Sequence, residues 1–361
     1  MVVAKKYVYA KRFHGTPSDD NIRLEEETLP ALKDGDVLFA AEYLTVDPYM
    51  RFFMDDLQMP LGITVIGEQV ARVTESKHPD YKVGEHYAIN TGWRTHSIVS
   101  IGKDDVRIKP VKDYGLPLSV SLGILGMPGA TAYLATKNIL DPKPGDTFFV
   151  NAAAGAVGSV VGQVAKLLAE ERDRNTPDGR QTQAAVIPKC KVIGCAGTPK
   201  KVAWLKELGF DVVFNYKTED YKEVLKQNAP SGVNCFFENV GGEFGNTVIR
   251  EHMAQFGRVA VCGGISGYND KEPVKSELPY KAMLMRSITV RGFIVGNDFP
   301  QDQWADAFDK MAQWIKQGKL QYKEHVTEGF ENMRKAFYEL FTGENNGKAI
   351  IKVSSLQSVK M

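Results

Sequence analysis

The run Thr147-Phe148-Phe149-Val150, followed by Asn151-Ala152-Ala153-Ala154-Gly155-Ala156-Val157-Gly158, constrains this chain more than any other segment. Strand-forming residues lead into a turn of small ones. Beyond the turn, Val157, Val160, Val161, Val164, Ala165 and Leu168 recur at helical spacing and lay one apolar stripe against a sheet. A strand turning tightly into a helix aims backbone N–H groups at the helix N-terminus, where a pyrophosphate is held. In the GxGxxG register the three positions are Ala153, Gly155 and Gly158, so the first glycine is replaced. Small residues in such a turn also serve plain packing, and the surroundings decide between the two.

Those surroundings repeat the pattern. Strand-like runs follow at Lys191 to Ala196, Asp211 to Phe214, Val233 to Phe237, Arg258 to Cys262 and Ile288 to Val295, with helix-like segments at Lys200 to Leu208 and Asn246 to Gln255. Six strands alternating with helices predict an α/β, Rossmann-type doubly wound parallel sheet, closed by a helix over Gln303 to Lys316. Up to about Leu125 the texture is different: Val37 to Ala41, Gly67 to Val73, His86 to Ile89 and Thr95 to Ile101 read as short strands of a β-rich domain. Strands at Leu320 to Val326 and Lys348 to Val353 flank a helix near Met333 to Phe341. The polar stretch from Glu170 to Gln183 reads as a solvated loop interrupting the first crossover. A length of 361 residues, 43% apolar, is enough for two cores.

The strand Lys191 to Ala196 runs into Gly197-Thr198-Pro199-Lys200-Lys201. A carboxylate there would bind the ribose diol of NAD; lysines instead suit a 2′-phosphate, so NADPH is the expected cofactor. The polar loop lengthens the interval between glycine turn and discriminating position.

Other chemistries find little support. The 45 basic and 44 acidic residues cancel, which removes the global field of a nucleic-acid or acidic-membrane binder and favours a small-molecule partner. No run reaches the roughly 18 apolar residues of a membrane span, and Met1 to Lys6 has no apolar signal core behind it, so a cytoplasmic protein is expected. Cys190, Cys195, Cys235 and Cys262 stand singly beside apolar runs and read as buried free thiols. The six histidines are scattered and no cysteine precedes Cys190, so no metal is expected. There is no GxSxG elbow for a hydrolase.

Val46-Asp47-Pro48-Tyr49-Met50-Arg51, Gly126-Met127-Pro128-Gly129-Ala130-Thr131-Ala132-Tyr133, Asn151 to Gly158, Asn215-Tyr216-Lys217, Glu238-Asn239-Val240-Gly241-Gly242 and Glu328-Gly329-Phe330-Glu331-Asn332-Met333 together resemble the prostaglandin reductase family. This group is also described as leukotriene B4 12-hydroxydehydrogenases, zinc-free enone and alkenal reductases of the medium-chain dehydrogenase/reductase superfamily. The resemblance covers nearly the whole chain. It implies a GroES-like β-rich catalytic domain from residues 1–125 and 319–361, a Rossmann NADPH-binding domain over 126–318, and a homodimer.

It also implies roles for particular residues. Ala152, Ala153, Ala154 and Gly155, with Val157 and Gly158 in the following turn, hold the pyrophosphate. Lys201 pairs with the 2′-phosphate, and Tyr216 and Asn239 line the adenosine side. Cys262, Gly263, Gly264, Ile265, Ser266 and Tyr268, with Phe293, Ile294, Val295 and Asn345, border the nicotinamide half. Hydride transfer to the β-carbon of an enone leaves an enolate that needs a hydrogen-bond donor. Tyr49, then Tyr268 and Tyr280, are the candidates, each weighed against simple packing with an exposed hydroxyl. Arg51 or Arg94 would meet a lipid carboxylate, or each is an exposed surface arginine. Two features depart from the family: Met283-Leu284-Met285-Arg286 stands where some members carry a tyrosine, and the polar insertion around Arg172 to Arg180 is unusual. A zinc-free quinone oxidoreductase and a non-catalytic NADPH-binding protein remain as alternatives.

Overall fold

Strands made of uninterrupted apolar residues are buried on both faces, which only a parallel sheet covered by helices provides. The computed structural model describes residues 1–174, 189–272 and 277–353. The chain opens with β1 (Val3–Tyr9), β2 (Ile22–Thr28) and β3 (Asp36–Thr45), a short helix α1 (Tyr49–Asp56), then β4 (Gln69–Ser76), β5 (His86–Ile89), β6 (His96–Ser100) and β7 (Ile108–Pro110). Next come α2 (Met127–Ala135), β8 (Thr147–Val150), α3 (Gly158–Arg174), β9 (Lys191–Ala196), α4 (Pro199–Glu207), β10 (Val212–Asn215), α5 (Tyr221–Asn228), β11 (Val233–Glu238) and α6 (Gly242–Thr247). They are followed by β12 (Met253–Val261), α7 (Tyr280–Arg286), β13 (Thr289–Gly292), α8 (Val295–Asp298), α9 (Gln301–Lys316), β14 (Glu324–Glu328), α10 (Met333–Thr342) and β15 (Lys348–Lys352).

Two units emerge. The first takes Met1–Gly126, Tyr268–Lys271 and the described residues from Glu324 onward. Its main sheet runs β14-β15-β3-β4-β5-β7, with β6 also on β3, and β1 and β2 form a separate antiparallel ribbon. The β15 strand joins β3 antiparallel, Ile350 opposite Thr45, so the end of the chain completes a sheet begun at its start. Met333, Ala336, Phe337 and Leu340, one helical face of α10, pack with Tyr7, Tyr9, Met50 and Trp93 in the core.

The second unit takes Met127–Gly267 and Glu272–Lys323. Its sheet is wholly parallel in the order β10-β9-β8-β11-β12-β13, which is the 3-2-1-4-5-6 order of a full dinucleotide-binding fold. Phe149 at its centre stacks on Phe236 at 5.3 Å and Phe214 at 6.2 Å. Strand order reverses between β8 and β11, and ligands of such sheets sit at the carboxyl ends of those two strands.

Three local expectations are corrected. The helix expected over Asn246 to Gln255 is instead α6 with a π turn at Val248–His252, and Met253 already pairs with Val233 as the start of β12. The strand expected over Ile288 to Val295 covers only Thr289–Gly292. There Asp298 accepts the Ile294 N–H at 2.9 Å and draws the chain into α8. Glu170 to Arg174, expected in a loop, form the last turn of α3; the rest of the polar insertion lies outside the described residues.

Candidate active site

The turn between β8 and α3 shows how it dispenses with the first glycine of the motif. The left-handed residue is Ala152, at φ +46°, one position before the motif. Ala153 is then free to keep a methyl, which packs where Gly194 of β9 has no side chain, and its N–H donates to the Cys195 carbonyl at 3.0 Å. Gly158 is different. A Cβ there would lie 2.6 Å from the Ala152 carbonyl oxygen and 2.8 Å from the Ala153 Cα, so only glycine lets α3 begin this close to the turn. A Cβ on Gly155 would meet only the Ala152 oxygen, at 3.3 Å, and the space beside it stays available to a ligand. These are the fits that a pyrophosphate at a helix N-terminus requires.

Beside this loop, Thr198 caps α4: its Oγ1 accepts the Lys201 N–H at 3.3 Å, with Pro199 at the first helical position. That cap leaves Lys200 in solvent and turns Lys201 half-buried. Burial, and next the nearby Lys217 ammonium, push Lys201 below the ordinary lysine range. Gly197 makes room for the neighbours from β10, since a Cβ there would stand 2.9 Å from the Tyr216 hydroxyl and 3.1 Å from Lys217 Cε. Two ammonium groups and a phenol thus gather where a 2′-phosphate is expected. Lys217 was not singled out from sequence; the Asn215-Tyr216-Lys217 motif held the signal.

At the switch point, the Asn151 and Glu238 side chains organise the floor. Glu238, buried at the end of β11, accepts from Asn151 Nδ2 at 2.6 Å and from the N–H groups of Val240 and Gly241 at 2.6 and 2.9 Å. Burial raises its carboxyl, against those three donors. Asn239 donates its backbone N–H to Asn151 Oδ1 at 2.8 Å and its amide to the Asn151 carbonyl at 3.0 Å, so it braces the loop as well as lining it. The Cys262 and Ser266 N–H groups donate to the Glu238 and Val240 carbonyls, tying Cys262 to Ser266 onto the same floor. Gly263, Gly264 and Ile265 lie within this half-buried turn. Phe293 and Val295 are buried and Ile294 is exposed, so of this segment only the Ile294 side chain is open to solvent.

In the first unit, Tyr49 opens α1 and packs edge-on to Phe53 at 5.3 Å. Phe53 meets Phe52, which stacks on Tyr268 at 5.7 Å, and one aromatic chain therefore brings together two of the three candidate tyrosines. Burial, then the charges of Asp47 and Glu68, hold the Tyr49 hydroxyl far above the usual tyrosine range. It is a neutral O–H donor at any working pH. Tyr280, on α7, is 71% exposed and stands outside this cluster. Asn345 spends its amide on the Gly347 carbonyl at 3.1 Å, while both polar atoms of buried Asn346 lack a partner among the described residues.

Neither arginine is an exposed surface residue. Arg51 is buried, paired with Asp55 at 2.8 Å and laid over the Phe13 ring, and Arg94 donates to Thr64 and faces Glu27. Both are committed to the fold of the first unit.

All four cysteines are free, and burial raises every thiol, Cys190 and Cys262 to about 12 and Cys195 and Cys235 further. Native protein at neutral pH is expected to resist a maleimide over minutes whereas unfolded chain takes four equivalents; rapid labelling of native protein, read by mass, would contradict this. Among the described residues no cluster of three or more His, Cys, Asp or Glu is placed to hold a metal ion, and no helix is long and apolar enough to cross a membrane.

Two family models match, an N-terminal domain of oxidoreductase over residues 5–107 and a zinc-binding dehydrogenase over 181–313. Prostaglandin reductase 1 of Bos taurus is 45% identical over 98% of this chain and 100% of its own length. The chain belongs to the prostaglandin reductase family. The NADPH-dependent curcumin reductase of Escherichia coli K12 is 36% identical, covering 97% of each chain. The crystal structure of CurA from Vibrio vulnificus in complex with NADPH superposes with a TM-score of 0.84 at 34% identity, over 97% of this chain and 99% of that one. The match over residues 5–107 falls in the β-rich unit, and most of the match over 181–313 falls in the parallel-sheet unit.

Proposed function

We propose that this chain reduces the carbon–carbon double bond of α,β-unsaturated ketones and aldehydes at the expense of NADPH, acting on oxo-lipids or on smaller alkenals. The observation that carries the reading is the 2′-phosphate corner: Lys201 and Lys217 gathered beside Gly197, with no carboxylate in the turn from Gly197 to Lys201 that follows β9, in a family whose members are named as reductases of prostaglandin and of curcumin, a conjugated enone. Bound NADPH supplies a hydride to the substrate's β-carbon. Ala152 to Gly155, Val157 and Gly158 would hold its pyrophosphate, Lys201 and Tyr216 its adenosine end, and Asn239, Cys262 to Ser266, Phe293 to Val295 and Asn345 the remainder. The Tyr49 hydroxyl, neutral and half-buried, would donate to the carbonyl oxygen as charge develops on it, with Tyr268, joined to it through Phe53 and Phe52, and Tyr280 as weaker candidates.

In this reading the first unit is the catalytic domain and the second the cofactor domain, and the protein works in the cytoplasm as a homodimer. Support for the dimer comes from the second unit. Among the described residues its edge strand β13 has an unpaired side, and α7 just before it buries no residue while exposing Tyr280, Leu284 and Met285.

The test follows absorbance of NADPH and of NADH with a 15-oxo-prostaglandin, a long-chain 2-alkenal and a simple quinone, with products analysed for a saturated bond and the same preparation sized by sedimentation. The expected result is NADPH oxidation with double-bond reduction by a species twice the mass of the chain. Turnover of quinone alone would assign a quinone oxidoreductase instead. Tight NADPH binding with no turnover would leave a binding protein, and sedimentation as a single chain would remove the dimer.

A further inference from the structure

A lysine ammonium sealed inside a protein needs three acceptors, and Lys348 finds all of them in three consecutive residues. Its Nζ, with the side chain 4% exposed, donates to Thr45 Oγ1 at 2.5 Å, to the Val46 carbonyl at 2.9 Å and to Asp47 Oδ1 at 2.8 Å. The Thr45 hydroxyl donates in turn to the other Asp47 oxygen. The location matters more than the pair. The β3–β15 ladder ends at Thr45 opposite Ile350, and there the chain leaves the sheet for Pro48 and the first turn of α1. Lys348, two residues before Ile350, catches the departing strand with its side chain where backbone pairing has stopped.

A buried ion pair is seldom retained for stability, because apolar residues of the same size do as well. What three directed hydrogen bonds add is a fixed direction for the corner, and Tyr49 is the next residue but one after Asp47. Glu68 and Glu324 also face the ammonium. Glu68 and Asp47 in turn face Tyr49, so the same lysine offsets the negative charge gathered around that hydroxyl.

We propose that Lys348 is a positioning residue for the reductase reaction, its ammonium holding the Thr45–Asp47 corner so that Tyr49 presents its hydroxyl in one orientation. The inference rests on the assignment of Tyr49 as the donor to the carbonyl oxygen. A double-mutant cycle in the full-length enzyme tests both separately. Tyr49→Phe reads the assignment itself. Lys348→Met combined with Asp47→Asn, which removes both charges of the pair together, reads the clamp and keeps the test open if Lys348→Met alone fails to fold. The clamp variant is expected to retain its circular dichroism and to bind NADPH within about twofold of the parent. Its kcat should fall on the order of 10- to 100-fold, the scale of an angstrom of misplacement. Added to Tyr49→Phe, the same changes should cost little more, because the hydroxyl they position is already gone. Full multiplication of the two losses would make Lys348 a general structural element and overturn the proposal, as would a clamp variant with unchanged kcat beside an impaired Tyr49→Phe. An unimpaired Tyr49→Phe would remove the assignment and the proposal with it.

Discussion

Gly158→Ala is expected to weaken NADPH binding on the order of 100-fold, about 2.7 kcal/mol, and to lower the melting temperature as well. The new methyl would meet the Ala152 carbonyl oxygen at 2.6 Å and the Ala153 Cα at 2.8 Å, and both are backbone atoms of a turn already held in a left-handed conformation at Ala152. A flexible side chain would move aside, but this turn can yield only by shifting the amides proposed to face the pyrophosphate. Gly155→Ala makes the informative comparison. Its methyl meets one atom at 3.3 Å, so the apoprotein should keep nearly its full stability while losing affinity for the cofactor alone. Fluorescence titration with NADPH and thermal melts without it separate the two effects. A Gly158→Ala protein that binds NADPH within about threefold of the parent would show that the turn is not the phosphate site.

The second large effect concerns which cofactor is chosen. Lys201→Ala should raise the dissociation constant for NADPH roughly 10- to 100-fold, the loss of one or two charge-assisted contacts to a phosphate, and leave that for NADH within about twofold. Lys217→Ala should act in the same direction and more weakly, because Lys217 is the more exposed of the two. With both removed, the two cofactors should bind within about fivefold of each other. Binding of 2′,5′-ADP gives the same comparison free of turnover. Parallel losses for NADPH and NADH would mean that the lysines support the fold of the α4 corner and do not read the phosphate.

The parallel sheet was legible in sequence because strand segments such as Phe148–Val150 and Cys235–Phe237 are apolar on both faces and leave no competing period. Asn246 to Gln255 misled because Val248 and Ile249 do lie on a helical face, whereas Met253 is claimed by a strand partner twenty residues earlier, a tertiary effect that local spacing does not carry. β1 and β2 passed unnoticed: their Lys5-Lys6 and Glu25-Glu26-Glu27 segments read as solvated charge, although Lys5 and Lys6 lie opposite Glu26 and Glu25 in one ribbon. The cofactor edge could be read from motifs because its residues are close together in the chain. Lys348 could not, since nothing local distinguishes it from an ordinary surface lysine and its partners lie 301 to 303 positions away.

The state of the four cysteines bears on how long one molecule can keep working. Conjugated carbonyl compounds are soft electrophiles that add to thiolates, so a catalyst for their removal spends its life among reagents able to alkylate it. A thiol raised to about 12 is ionised at neutral pH in roughly one molecule in 10⁵. Even Cys262, half-buried in the turn proposed to border the nicotinamide, is thereby held as the sulfhydryl, which adds to an enone far more slowly than a thiolate does. Burial of Cys190, Cys195 and Cys235 thus does more than fill the core: together with the raised thiol of Cys262 it is expected to make the protein a poor target for the compounds it consumes, so that its working lifetime does not fall as their concentration rises.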